Sequence, residues 1–232
     1  MSRVVAIHQP TFLPWLGWWD KLSRCDVFVL LDAVQFPKKG GTWMNRVKLL
    51  VSGNPAWVTV PVDRSYHGVR TVREMRIDES TGWRRKLAQT VATNYGASRH
   101  YADAGVFLDD ILAVETSSLA EWNEEGFRRA ARLLELETSH VVRQSDLGVV
   151  GAGTSLLIEL CRAVGGDVYL TGDGADGYLE PELFAAGDVS LREQRFVQTP
   201  YPQVQREFVP GLSFLDAVAN VGWTRTSQLV RD

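Results

Sequence analysis

Polar side chains that could do chemistry sit where apolar runs stop. His8 closes the run "VVAIH" and Gln9 follows it; Asp32 and Gln35 follow "DVFVLL"; Thr171, Asp173 and Asp176 follow "DVYL". In open α/β sheets ligands bind beyond the carboxyl ends of the strands. If these runs are parallel strands, the polar groups form the floor of one cleft. His8 could act as a general base or a neutral hydrogen-bond donor, because its ordinary pKa lies near neutrality. Asp32 could orient it, or bind a substrate amine or hydroxyl. These two are the catalytic candidates. Lys21, Arg46 and Lys48 could meet an anion, the last two alternating along one strand face. The loop "TGDGADG" has the glycines of a phosphate cradle, but its aspartates repel phosphate. It matches neither a P-loop, a dinucleotide fingerprint nor an EF-hand. It suits a cationic or hydroxylated group. Gln9, Trp15, Lys21, Gln35, Trp43, Asn45, Arg46, Thr171, Asp173, Asp176, Tyr178 and Gln194 make up the candidate substrate-binding set. Plainer readings stand beside these: a hydrogen-bonded strand-to-helix corner at His8-Gln9-Pro10, a solvated sheet face at Arg46 and Lys48, and inert core thiols at Cys25 and Cys161.

The elements that must position these groups follow from periodicity. "VVAIH" and "DVFVLL" are short β-branched runs suited to buried strands. Between them "WLGWWDKLSRC" has helical spacing, with Trp15, Trp18, Trp19 and Leu22 on one face and Asp20 and Lys21 off it. Strand, helix and strand this close predict a right-handed βαβ unit. "TWMNRVKLL" and "AWVTVPV" flank "VSGNP" and predict an antiparallel hairpin, with "TVREMRI" as a third strand. Residues 80–137 are mostly helical, starting from a Ser or Thr cap before "WRRKLAQTVATNYG". The last part returns to alternation: "HVVRQSDL" as strand into loop, "GTSLLIELCRAVGG" as a capped helix, "DVYLTG" and "VSLREQRFV" as strands, and "SFLDAVANVG" as a final helix ending at Gly222. The fold class expected is α/β: a mostly parallel, Rossmann-like sheet core in one domain over residues 1–232. An antiparallel hairpin is inserted at about 42–77 and a helical segment at about 80–137.

Composition narrows the function. The chain has 232 residues, 45% hydrophobic and 23% charged, with a formal net charge of −3. That balance is ordinary for a globular protein and gives no whole-molecule attraction for nucleic acid. Two distant cysteines with no C-x-x-C pair speak against a zinc site or a disulfide framework, and no metal or cofactor is expected. The opening "MSRVVAIHQP" turns polar too soon for a signal peptide, and no apolar run reaches membrane-span length. A cytoplasmic protein without membrane contact is expected.

One long stretch carries a resemblance. "HQPTFLPWLGWWDKLSRCDVFVLLDAVQF" resembles the opening signature of the WbqC-like proteins, and "NRVKL" and "WVTVPV" resemble that family's next blocks. "YLTG", "GYLEPELF", "YPQ" and "FVPGLSFLDAVANVG" resemble its C-terminal blocks. Thr199 and Ala219 stand where the pattern has a histidine and an aromatic. The resemblance implies a role in O-antigen, other surface-polysaccharide or secondary-metabolite biosynthesis. It further implies a transferase that modifies an amino sugar or related amine by acyl or aminoacyl transfer. The opening is also similar to nucleotidylyltransferase-type folds, but it has only one of the two histidines that such active sites use, His8. Two other readings stay open. One is a non-catalytic binding protein for a nucleotide sugar or a carrier-bound intermediate. The other is an aminoacyl-tRNA-dependent enzyme using "FPKKGGTW" and "HGVRTVREMR" as a basic stripe. The substrate is a small molecule in the first two readings, and the oligomeric state is left open.

The geometry expected is a single cleft lined by His8, Asp32, Gln35 and Arg46. The first two strands should be neighbours, Trp15 or Trp43 should flank the cleft, and Trp18 and Trp19 should lie in the core.

Overall fold

The structure is a computed structural model that describes residues 2–172, 179–205 and 207–231. Asp173, Asp176 and Tyr178 therefore lie outside the described residues. In chain order the elements are β1 (Val4–His8), α1 (Leu16–Ser23), β2 (Val27–Leu30), the hairpin β3 (Arg46–Val51) and β4 (Asn54–Thr59), then α2 (Trp83–Tyr95), α3 (Tyr101–Leu112) and α4 (Leu119–Leu133). β5 (Val141–Arg143), α5 (Gln144–Leu147), α6 (Gly153–Ala163), β6 (Val168–Thr171), α7 (Pro181–Ala186), β7 (Ser190–Glu193) and α8 (Phe214–Arg231) complete it.

β1 pairs with β2 in parallel, with His8 opposite Leu30, and with β6 on its other side. The five-stranded sheet runs β5-β2-β1-β6-β7, and all its pairings are parallel. The strand order reverses between β1 and β6, which is where an open parallel sheet leaves a crevice. Alternation along the strands divides the core. Ala6, Phe28, Leu30 and Leu170 face the side of α1, α4 and α8, while Val5, Ile7, Val29 and Tyr169 face α6 and α7. Trp18 and Trp19 sit in the first of these cores as expected. Trp18 packs on Phe28 and Phe127 with centroids 4.9 and 5.6 Å away.

β3 and β4 form the separate antiparallel hairpin. Ser52 and Gly53 both have positive φ, 51° and 76°, the twist that a two-residue hairpin turn requires. Asn45 fixes the hairpin's base: its Oδ1 accepts from Thr42 N at 3.0 Å and its Nδ2 donates to Val60 O at 3.0 Å. Both bonds are buried or half-buried, so Asn45→Ala should lower stability by about 1–2 kcal/mol. Urea denaturation monitored by circular dichroism will measure the loss.

Four expectations are corrected. "TVREMRI" is not a third strand. Thr71 and Glu74 form a capping box around a 3-10 turn at Val72–Glu74, because the Glu74 carboxylate accepts from both Thr71 N and Thr71 Oγ1 at 2.7 Å. The helix that ends at Gly222 is not the final one: the chain bends at Gly222 (φ 77°, ψ 172°), where the helix stops as expected, and a further helical stretch runs on to Arg231. A Cβ at that bend would lie 2.9 Å from His100 Nδ1, so the ring occupies the space a side chain would need. α2 starts from Gly82 in the left-handed conformation, not from a Ser or Thr side-chain cap. α6 starts from Ala152 with no side-chain cap, where a capped helix is expected. Asp20 and Lys21, off the apolar face of α1, are both buried, and Gln194 next to β7 bonds Asp20 there.

Candidate functional site

A cavity of about 850 Å³ opens over the carboxyl ends of β1 and β6, at the point where the strand order reverses. His8, Gln9, Gln35, Lys21, Trp43 and Thr171 line it, over an apolar base that includes Ile7, Leu31, Leu156 and Leu179.

His8 is the last residue of β1 and half-buried. Its Nδ1 lies 3.0 Å from Gln9 O and 3.2 Å from Thr11 Oγ1, and Thr11 Oγ1 donates to Gln9 O at 3.0 Å. A carbonyl oxygen only accepts, so Nδ1 carries the proton and Nε2 keeps the lone pair. Burial, and then the Lys21 ammonium, push the imidazole down to about 4. It is therefore neutral and basic at Nε2 across the neutral range. A linkage follows. The unfolded ring takes a proton near pH 6.5, while the folded ring resists until about pH 4. Between those values the unfolded chain binds more protons, so stability rises with pH. His8's contribution is complete above the unfolded value and is lost on acidification through this window. Allowing for the solvent that still reaches the ring, the loss should be about 2 kcal/mol. His8→Gln should remove that part of the difference between urea midpoints at pH 4.5 and 7.

Lys21 comes from α1, buried, with its Nζ 5.9 Å from the centre of the Tyr169 ring of β6. Among the described residues it is the cation that lines the cleft. The turn Gly151-Ala152-Gly153-Thr154 that opens α6 lines the same cavity. Gly151 and Gly153 have positive φ there, 151° and 61°. The first N–H groups of a helix have no partners within it and carry its positive end, so this turn favours an oxyanion. Thr154 Oγ1 accepts from Glu180 N at 3.2 Å, which ties the turn to the segment leading into α7. Neither this turn nor Tyr169 is among the sequence-based candidates. Two glycines bracketing the start of a helix that follows a strand were the available signal.

The other candidates divide. Thr171 and Trp43 line the cleft, as do Gln9 and Gln35. Asp32 does not. Its carboxylate accepts from Ser145 N at 3.0 Å and from Ser145 Oγ at 2.7 Å, capping the first turn of α5. His8 is therefore oriented by the Gln9 carbonyl and the Thr11 hydroxyl, not by Asp32. Trp15 packs edge-on against Phe196 at 5.6 Å, over Gly17, whose missing side chain makes the room. Asn45 serves the hairpin, as above. Gln194 donates from Nε2 to Gly17 O at 2.5 Å and to Asp20 Oδ2 at 2.7 Å, bracing α1 and not facing the cavity. Arg46 lies over the Trp57 ring at 4.2 Å, outside the cleft wall. The single cleft expected from four residues thus gathers His8 and Gln35 but neither Asp32 nor Arg46. Burial pushes the Cys25 and Cys161 thiols up to about 12, which leaves no cysteine nucleophile at neutral pH.

Among the described residues no helix is long and apolar enough to cross a membrane. The chain is 28% identical over 224 residues to uncharacterized protein Rv1507c of Mycobacterium tuberculosis (strain ATCC 25618 / H37Rv), a match spanning 95% of this chain and 94% of that protein. No solved structure matches it. The sequence model of one family matches residues 9–228, nearly the whole chain, and His8's loop, α1 and the strand ends that build the cleft fall almost entirely inside it: the chain belongs to the WbqC-like protein family.

Proposed function

We propose that this protein is a transferase that moves an acyl or aminoacyl group onto the amine of a small polar metabolite, an amino sugar or a related amine. We place the reaction in the cytoplasm, within surface-polysaccharide or secondary-metabolite biosynthesis. The observation that carries the reading is a neutral His8 with its lone pair on Nε2, beside the Lys21 ammonium, in a cavity of about 850 Å³. Amide formation needs these parts. The amine nitrogen attacks the carbonyl carbon of an activated donor, an ester or thioester. Nε2 takes the proton that the amine loses. Lys21 and the first turn of α6 stabilise the oxyanion. The carbon–oxygen or carbon–sulfur bond then breaks, and the leaving group receives the proton from the imidazolium. The test is to incubate the purified protein with amino sugars and acyl-thioester or aminoacyl-ester donors, and to look for the amide by mass spectrometry. Amide formation that His8→Ala abolishes supports the reading; formation that His8→Ala leaves untouched overturns it.

One observation favours a second reading, a binding protein that holds such a metabolite for a partner enzyme. His8 is oriented by a carbonyl and a hydroxyl and not by a carboxylate, so an imidazolium would gain little support. Stoichiometric binding of an unchanged ligand in a single-turnover experiment is the result expected of that reading.

A further inference from the structure

The rim of the cleft carries a cationic aromatic surface that the transfer chemistry does not use. Trp43 lines the cavity, and its ring meets the Trp57 ring edge to face, centroids 5.0 Å apart at 69°. Each indole is 41% exposed, an unusual state for two large rings in contact. Lys48 stands directly across the hairpin from Trp57, with its Nζ 5.3 Å from that ring, and Arg46 lies over the same ring. Among the described residues neither cation forms an ion pair with a carboxylate, and Arg46 Nε is buried without a hydrogen-bond partner. A solvated sheet face would leave such side chains in water; here they are held on aromatic rings.

The surroundings are built to hold them there. A Cβ on Gly41 would fall 2.5 Å from Arg46 Cδ, so the glycine lets the guanidinium lie against its loop. Arg64 Nη1 donates to Pro37 O at 3.0 Å and Nη2 to Gly40 O at 2.7 Å, fastening the loop that carries Lys38 and Lys39. The Trp43 carbonyl accepts from Phe12 N at 2.9 Å, and Asn123 Nδ2 bonds both Pro10 O and Met44 O. The platform and the loop that holds His8 are therefore one rigid rim.

We propose that this rim is a nucleoside-diphosphate subsite, so that the metabolite entering the cleft is nucleotide-linked. The inference concerns the ligand of the same cleft and rests on the transferase reading only for the fate of the linked group. The base stacks in the corner of Trp43 and Trp57, since every base offers a π-face to an exposed indole. The diphosphate meets Arg46 and Lys48, which have no carboxylate partner among the described residues, and the linked group passes Trp43 toward His8. A small nucleotide fits better than RNA. Among the described residues there is one such exposed aromatic corner, enough for one base, and the net charge of −3 gives no field along which a polyanion would track.

The test is direct titration of the full chain with UDP and ADP, read by quenching of tryptophan fluorescence. Uridine and pyrophosphate supply the arms that lack phosphate and base. Both nucleotides should bind, each far more tightly than either fragment. Trp57→Ala should weaken them roughly tenfold or more, and Trp57→Phe should restore most of that. Lys48→Glu should weaken them and flatten the salt dependence. It carries the test even if a Trp57 variant folds poorly. Failure of both nucleotides to bind overturns the proposal, as does binding that Trp57→Ala and Lys48→Glu leave unchanged. Binding of a short single-stranded RNA where UDP and ADP do not bind also overturns it, in favour of an RNA substrate. His8→Ala should still bind UDP. Nucleotide binding without any amide formation would sink the transferase reading alone, whereas transfer to a nucleotide-free amine with no nucleotide binding would sink the subsite alone.

Discussion

His8→Ala should lower the rate of amide formation by about 100- to 10,000-fold while leaving KM for the acceptor nearly unchanged. The proton leaves the amine only as the new bond forms, so Nε2 contributes to the transition state far more than to the bound substrate. The same assignment sets the pH profile. A ring pushed down to about 4 supplies a base limb that falls only in acid, and the rate should be flat in His8 from pH 6 upward. Any rise above neutrality belongs to the acceptor amine shedding its own proton. Steady-state kinetics from pH 4 to 8 on wild type and on His8→Asn, which keeps the polarity but not the base, will check it. A limb near the ordinary histidine value would show that the burial argument is wrong.

Asp216→Ala should be the most damaging change to stability, costing about 3–5 kcal/mol. Asp216 is fully buried in the first turn of α8. Its carboxylate accepts from Tyr95 Oη at 2.9 Å, Tyr201 Oη at 2.7 Å and Gln203 Nε2 at 3.0 Å. Alanine would leave these donors dry and open a void between α2 and α8. The damage would also spread to the hairpin, because Tyr95 Oη accepts from Leu50 N at 2.8 Å. Thermal and urea unfolding of Asp216→Ala beside Tyr201→Phe will separate the parts. Tyr201→Phe removes one donor and keeps the ring, so it should cost only about 1–2 kcal/mol.

Residues that build the sheet could be read from the chain, because β-branched runs broken by polar residues admit few alternatives. His8 and Thr171 fell at strand ends, and strand ends converge in a parallel sheet. What could not be read depended on partners far away in sequence. Asp32 sits at a strand end too, but Ser145 claims its carboxylate, and no local pattern announces a partner 113 residues on. Lys21 was legible as an anion contact, but helical spacing shows only which face is apolar, not that the polar face is also covered. Arg46 was placed with the cleft because its strand starts close by, yet its guanidinium turned to the nearest π-face, Trp57. The Gly151–Thr154 turn was read as structure because a helix start is, by itself, unremarkable; the strand reversal beside it makes it part of a site.

The central place of β1 bears on how the site comes into being. β1 meets the start of β2 after a separation of 22 residues, but the approach to β6 lies 164 residues on. Closing the longer loop costs about 2 kcal/mol more chain entropy than closing the shorter one. A growing chain leaving the ribosome can therefore assemble the wall that bears His8 long before the opposing wall exists, and long-range parallel pairing is intrinsically slow. Local opening from the β6 side would erase the crevice while β1, α1 and β2 stay paired. Loss of ligand binding should then precede loss of helical signal whenever the protein begins to unfold.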